Sequence, residues 1–131
     1  MATTLVIKDE TATGKVTNEV KLSFNSELVT VKEIIEARVH AEVELYNKRL
    51  PEYYNGLVQP VDAEKTLNGY KMSKSRKIDP HKQYFAALEA FAKNGYFVLI
   101  DNIQAESLEQ MVVINAGTQI SFVKLTPLVG G

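Results

Sequence analysis

Apolar and polar residues alternate early in this chain. Val20, Leu22 and Phe24 are interleaved with Lys21, Ser23 and Asn25, the period of two that a strand with one buried face requires. Thr3-Thr4-Leu5-Val6-Ile7-Lys8 reads as an earlier strand. Thr11-Ala12-Thr13-Gly14-Lys15 supplies turn chemistry between the two, which predicts a hairpin. The period then lengthens. Thr30 followed by Glu33 is a capping-box pattern. Val31, Ile34, Ile35, Val39, Val43 and Tyr46 recur at helical spacing as one apolar stripe. Lys32, Glu36, Arg38, Glu42 and Glu44 are expected mostly to lie away from it. Pro51 disfavours helix at the residue before it and places the helix end near Lys48-Arg49.

Leu50 to about Asp79 is the least regular stretch, rich in turn residues: Pro51, Asn55-Gly56, Pro60 and Asn68-Gly69. Asp79-Pro80 then has the form of an N-cap with proline at the first helical position. Tyr84, Phe85, Leu88, Phe91 and Ala92 form a second apolar stripe, expected to be core packing, and Asn94-Gly95 stops the helix. Tyr96-Phe97-Val98-Leu99-Ile100 is strongly strand-prone, with Asp101-Asn102 ending it. Met111-Val112-Val113-Ile114, the turn Asn115-Ala116-Gly117-Thr118 and the run from Gln119 to Leu125 complete the pattern. Pro127 ends strand pairing because it has no amide proton to donate, and the chain closes on Leu128-Val129-Gly130-Gly131.

At 131 residues the chain is expected to be a single domain over 1–131, with a helix-bearing insertion over 50–95 and a flexible tail over 126–131. Its 45% hydrophobic and 24% charged content is ordinary for a globular protein. A net charge of -1 gives no overall pull toward nucleic acid or anionic membrane, so neither is expected as a partner. The apolar runs are too short to span a bilayer. Met1-Ala2-Thr3-Thr4 lacks the basic start and long apolar stretch of a secretory signal, so a cytoplasmic location is expected. The absence of cysteine excludes disulfides, thiolate metal sites and a cysteine nucleophile.

Candidate chemistry is sparse. His40 and His81 are the only histidines and show no paired-ligand spacing, so no metal site is expected. Nothing in the spacing of Glu42, Glu44, Asp62, Glu64 and Asp79 forces two carboxylates together; solvated charge or capping is the simpler assignment. There is no nucleophile elbow and no phosphate-cradling glycine loop, and the chain is not expected to be an enzyme. Lys71, Lys74, Arg76 and Lys77 put four cations within seven residues beside Tyr70. A docking surface for an acidic partner, or a solvated loop, is preferred there over phosphate binding. Tyr53, Tyr54, Leu57 and Val58 offer either an exposed partner-binding cluster or a cover for the open end of the core.

The ordered string from about Ile114 to Gly131 (strand, glycine turn, strand, proline, small apolar pair, Gly-Gly) resembles the C-terminus of the ubiquitin-like β-grasp proteins. These include the molybdopterin-synthase small subunit, the thiamin-pathway sulfur carrier and bacterial ubiquitin-like modifiers. The hairpin and first helix fit the same family, and the insertion makes this chain a divergent member. The resemblance implies an α+β fold: a β-grasp mixed sheet packed on one amphipathic helix, with a helical insertion. It implies a protein modifier or carrier that binds no cofactor itself. An adenylating, ubiquitin-activating-type partner would use ATP and magnesium to activate the Gly131 carboxylate. A conjugating enzyme and a deconjugating protease are further implied partners. Gly130 would keep the tail thin, with Leu128, Val129 and Pro127 gripped beside it, while Lys74, Arg76 and Lys77 would dock. A thioester and isopeptide would mark a modifier, and a thiocarboxylate a sulfur carrier for cofactor biosynthesis. A non-covalent interaction module, with the diglycine incidental, is the alternative from a different class.

Overall fold

A computed structural model of the chain describes residues 2–60, 63–66, 69–72 and 77–125. The opening alternation becomes β1 (Thr3–Glu10) and β2 (Val16–Phe24), an antiparallel hairpin in which Leu5 faces Leu22 and Ile7 faces Val20. Its register shifts at Asp9/Glu10, where a bulge bends the ladder near the turn. The late strand-prone runs become β7 (Tyr96–Ile100) and β10 (Ile120–Lys124). β10 lies between β1, to which it is parallel, and β7, to which it is antiparallel. With the short β8 (Ile103–Gln104) they form a mixed five-stranded sheet in the order β2-β1-β10-β7-β8. A separate pair, β3 (Leu28–Thr30) with β9 (Met111–Val113), joins the helix entrance to the later loop.

The first helix, α1, spans Val31–Arg49 and begins as its capping box predicts: Thr30 accepts from the Glu33 amide, and the Glu33 carboxylate accepts from the Thr30 amide. Leu50 closes it in the left-handed region, with φ of 47°. Val31, Ile34, Ile35 and Val39 are fully buried against Leu5, Ile7, Leu22, Phe24, Val98, Ile120 and Phe122 of the sheet, so one core holds helix and strands together. The second helix, α2 (Pro80–Ala92), is capped by Asp79, whose carboxylate accepts from the His81 and Lys82 amides, and it packs on α1. The protein is thus α+β, with a mixed sheet and, among the described residues, two helices. No helix among the described residues is long and apolar enough to cross a membrane.

The structure departs from the sequence pattern in three places. The stretch expected to be least regular contains a three-stranded antiparallel sheet of β4 (Tyr53–Tyr54), β6 (Gly69–Met72) and β5 (Ala63–Thr66). Arg38 and Glu42, expected away from the apolar stripe, are buried within it, Arg38 against Asp9 and Phe122 of the large sheet and Glu42 beneath Tyr54 of the small sheet and the Leu57 amide. Phe85, assigned to core packing, is 64% exposed, since α2 turns Tyr84 and Ala87 toward α1 and leaves Phe85 outside.

Candidate functional site

β10 is the central strand of the large sheet, and it delivers Lys124 and Leu125 to the rim of a cleft of about 850 Å³. One wall is the turn end of the β1–β2 hairpin, with Glu10, Thr11 and Lys15. The other is the loop from Asn55 to Gln59 together with Tyr70. Lys124 holds β10 to this second wall: its ammonium donates to the Gly56 carbonyl at 2.7 Å and lies 5.5 Å from the centre of the Tyr70 ring. The last described strand is thereby tied at its end to the insertion.

The cleft floor rests on a buried charge network. Leu5, Ile7 and Asp9 follow one another on the inner face of β1, so the period of two that buries the first two residues also buries the Asp9 carboxylate. Arg38 meets it from α1 with both terminal nitrogens, a two-pronged ion pair in which Arg38 Nη2 donates to Asp9 Oδ2 at 2.6 Å. Arg38 Nε donates to Glu42 Oε2 at 3.1 Å, one helical turn on. Glu42 Oε1 accepts from the Tyr54 hydroxyl at 2.9 Å and from the Leu57 amide at 3.0 Å. The guanidinium carbon also sits 4.6 Å from the Phe122 ring centroid, on the central strand. One Arg–Glu pair therefore links the large sheet, α1 and the cleft loop.

Burial acts on every titratable member whose value moves. It works against the Arg38 charge, but the hydrogen bond to Asp9 and the attraction of Glu42 and Asp9 outweigh it and hold the guanidinium above its ordinary value. Burial raises the Glu42 carboxyl, opposed by Arg38 and by the Leu57 and Tyr54 hydrogen bonds. Tyr54 is raised by burial and then by the neighbouring Glu42 charge, so its hydroxyl stays a donor.

Two glycines permit the loop geometry. A Cβ on Gly56 would overlap the Tyr54 ring, so only glycine lets Tyr54 reach Glu42 there. Gly69 has φ of 115° and its side-chain position is closed by the Asn55 side chain.

Of the residues expected to act, Pro127, Leu128, Val129, Gly130, Gly131, Lys74 and Arg76 lie outside the described residues. Lys77 is exposed and lines a different, shallow depression with His40, Glu44 and Lys48, so it is not brought to the cleft. Tyr54 and Leu57 are buried, which makes that cluster a cover for the core. His40 and His81 do meet, edge to face with ring centres 6.2 Å apart, but no group of three or more metal-ligating side chains forms among the described residues. The network of Asp9, Arg38, Glu42 and Tyr54 was not anticipated. Its signals were a carboxylate at the third inward position of β1 and an Arg–Glu pair at i, i+4 inside an apolar stripe. Comparison with protein-family models, with curated proteins and with solved structures gives no match for this chain.

Proposed function

We propose that this protein is a β-grasp, ubiquitin-like carrier or modifier activated at its diglycine carboxylate. The fold assignment is supported by the strand order β2-β1-β10-β7-β8 with β1 and β10 parallel at its centre and α1 across one face. The functional assignment is carried by one observation. The central strand, anchored by both neighbours and by Lys124, ends at Lys124, and the next residue, Leu125, lies on the cleft rim six residues before Gly131. Six extended residues reach roughly 20 Å, enough to enter a partner's active site while the domain docks outside.

The chemistry belongs to the partner. A Gly131 carboxylate oxygen attacks the α-phosphorus of ATP on an adenylating enzyme, expelling pyrophosphate and forming an acyl-adenylate. A partner thiolate displaces AMP to give a thioester, and a lysine amine then displaces the thiol to give an isopeptide. Attack by sulfide, which likewise displaces AMP, gives a thiocarboxylate instead. Gly130 and Gly131 present no side chain to the slot, Pro127, Leu128 and Val129 supply apolar grip, and Lys74, Arg76 and Lys77 form a cationic docking surface. A free carboxylate at Gly131 is required, whether synthesised or exposed by a protease.

The test uses the native tail. An amino-terminally tagged chain is recovered from its own cells under denaturing conditions and digested with trypsin. Cleavage after Lys124 leaves residues 125–131 as a branch on any acceptor lysine, identifiable by mass. Intact-mass analysis of the same material reveals a thiocarboxylate. Deleting Gly130 and Gly131 should abolish both signals while leaving stability within about 0.5 kcal/mol. Absence of adduct and thiocarboxylate from the full-length chain would refute the reading and leave a non-covalent interaction module.

A further inference from the structure

The large sheet has two very different edges. At one side β8 is only two residues long, too short to template another strand. At the other, β2 runs for nine residues and pairs with β1 alone among the described strands. An edge of that length exposes a row of backbone donors and acceptors. Proteins blunt such a row with proline, inward charges, edge lysines or bulges; on β2 the bulge is confined to the turn end at Thr17, and Lys21 is the one edge lysine. β2 contains no proline, and its inward positions Asn18, Val20, Leu22 and Phe24 carry no charge.

Beyond the bulge, which leaves Thr17 without a partner on β1, its outward face reads Glu19, Lys21, Ser23, and all three are exposed. This order is self-complementary about Val20. If a second β2 is laid antiparallel along the first with a two-fold axis at Val20, each Glu19 falls opposite Lys21 of the other copy. On the inner face Val20 meets Val20. Opposite charges directly across a ladder are a stabilising combination. Within one copy, Lys21 lies across from the apolar Val6, so β1 offers it no carboxylate, and Glu19 lies across from Lys8. Neither Glu19 nor Lys21 forms an ion pair among the described residues.

We propose that β2 is a homodimerisation edge, pairing with β2 of a second copy in the antiparallel register centred on Val20. The two five-stranded sheets then run on as one, with both α1 helices on the same face. The two-fold axis sends the β10 strands in opposite directions, so the two clefts lie at opposite ends of the continuous sheet, each reaching the interface only through Thr17 and Asn18. The inference is independent of the diglycine chemistry.

Sedimentation equilibrium of the purified full chain at low ionic strength tests it. The unaltered protein should associate reversibly to a dimer that weakens as salt rises. Glu19→Lys sets lysine against lysine twice across the interface, and Lys21→Glu sets glutamate against glutamate, so each variant should dimerise at least tenfold more weakly. Mixed in equal amounts, the two variants should form a heterodimer, because both lysines of the first then face both glutamates of the second. The double exchange Glu19→Lys/Lys21→Glu should restore the homodimer. Folding failure cannot imitate a rescue on mixing. A chain that stays monomeric at all attainable concentrations would overturn the proposal. So would single variants that dimerise as well as the original, or variants that fail to recover when mixed.

Discussion

Arg38→Met is the substitution that most directly probes the structure. It keeps much of the aliphatic volume and removes the guanidinium that neutralises Asp9 and Glu42, both buried. Three hydrogen bonds disappear, two to Asp9 and one to Glu42, along with the contact to Phe122. Removing one member of a buried ion pair leaves an uncompensated charge and costs about 3–5 kcal/mol. With an unfolding entropy of roughly 2.1 cal/mol/K per residue over 131 residues, that lowers Tm by about 11–18 °C. The effect has a pH signature. Without Arg38 the Glu42 carboxyl, already raised by burial, rises further. A raised carboxyl contributes stability below its unfolded value and loses it as pH climbs, so the deficit should widen from acid toward neutral pH. Urea unfolding followed by far-UV circular dichroism suits a chain without tryptophan, and an unchanged m-value would confirm that the unfolded state is unaltered. Combining Asp9→Asn and Glu42→Gln with Arg38→Met removes both stranded charges and keeps acceptors for Tyr54 and Leu57, so the triple variant should recover part of the loss. A cost below about 1 kcal/mol for Arg38→Met, or a triple variant less stable than the single, would refute the view that this network holds helix, sheet and cleft loop together.

Gly56→Ala should cost about 1–3 kcal/mol, because its methyl would displace the Tyr54 ring that Tyr46 packs edge-on at 5.4 Å. Gly117→Ala, which meets only Asn115 at 3.4 Å, should stay within about 0.5 kcal/mol by the same denaturation assay, and equal costs would discount the Tyr54 contact. Tyr54 and Tyr96 are both raised well above the ordinary value of 10.0, chiefly by burial, so their contribution is intact below that pH and lost above it. Each should steepen alkaline destabilisation by about 1.4 kcal/mol per pH unit, making phenolate absorbance and loss of circular dichroism rise together. Complete phenolate formation in a chain that is still folded would contradict the burial. Tyr54→Phe should make that alkaline slope shallower.

Local signals in the sequence determined the parts of the fold that depend on near neighbours. The Thr30–Glu33 capping box, the Asp79-Pro80 helix start and the alternation of Leu5, Ile7, Leu22 and Phe24 each encode structure within a few residues, and each element forms where its signal lies. Helical spacing places Arg38 and Glu42 within the stripe of α1, but their charge suggested solvent. They are buried because distant partners meet those charges: Asp9 and Phe122 of the large sheet reach Arg38, and Glu42 is met by the Leu57 amide and by Tyr54 of the small three-stranded sheet. That sheet escaped notice since its strands are two to four residues long, too short to show a period, and are specified by pairing with one another. Phe85 failed in the opposite sense, its apolar character suggesting a core that α2 turns away from. The cleft at the end of β10 is likewise a product of three-dimensional assembly. Its walls come from the hairpin turn, the insertion and the final strand, and only long-range contacts set their distance. The terminal glycine pair is legible without any fold, because it is defined by the side chains those residues lack. The place of β10 at the centre of the large sheet is fixed by its parallel pairing with β1, which no local pattern records.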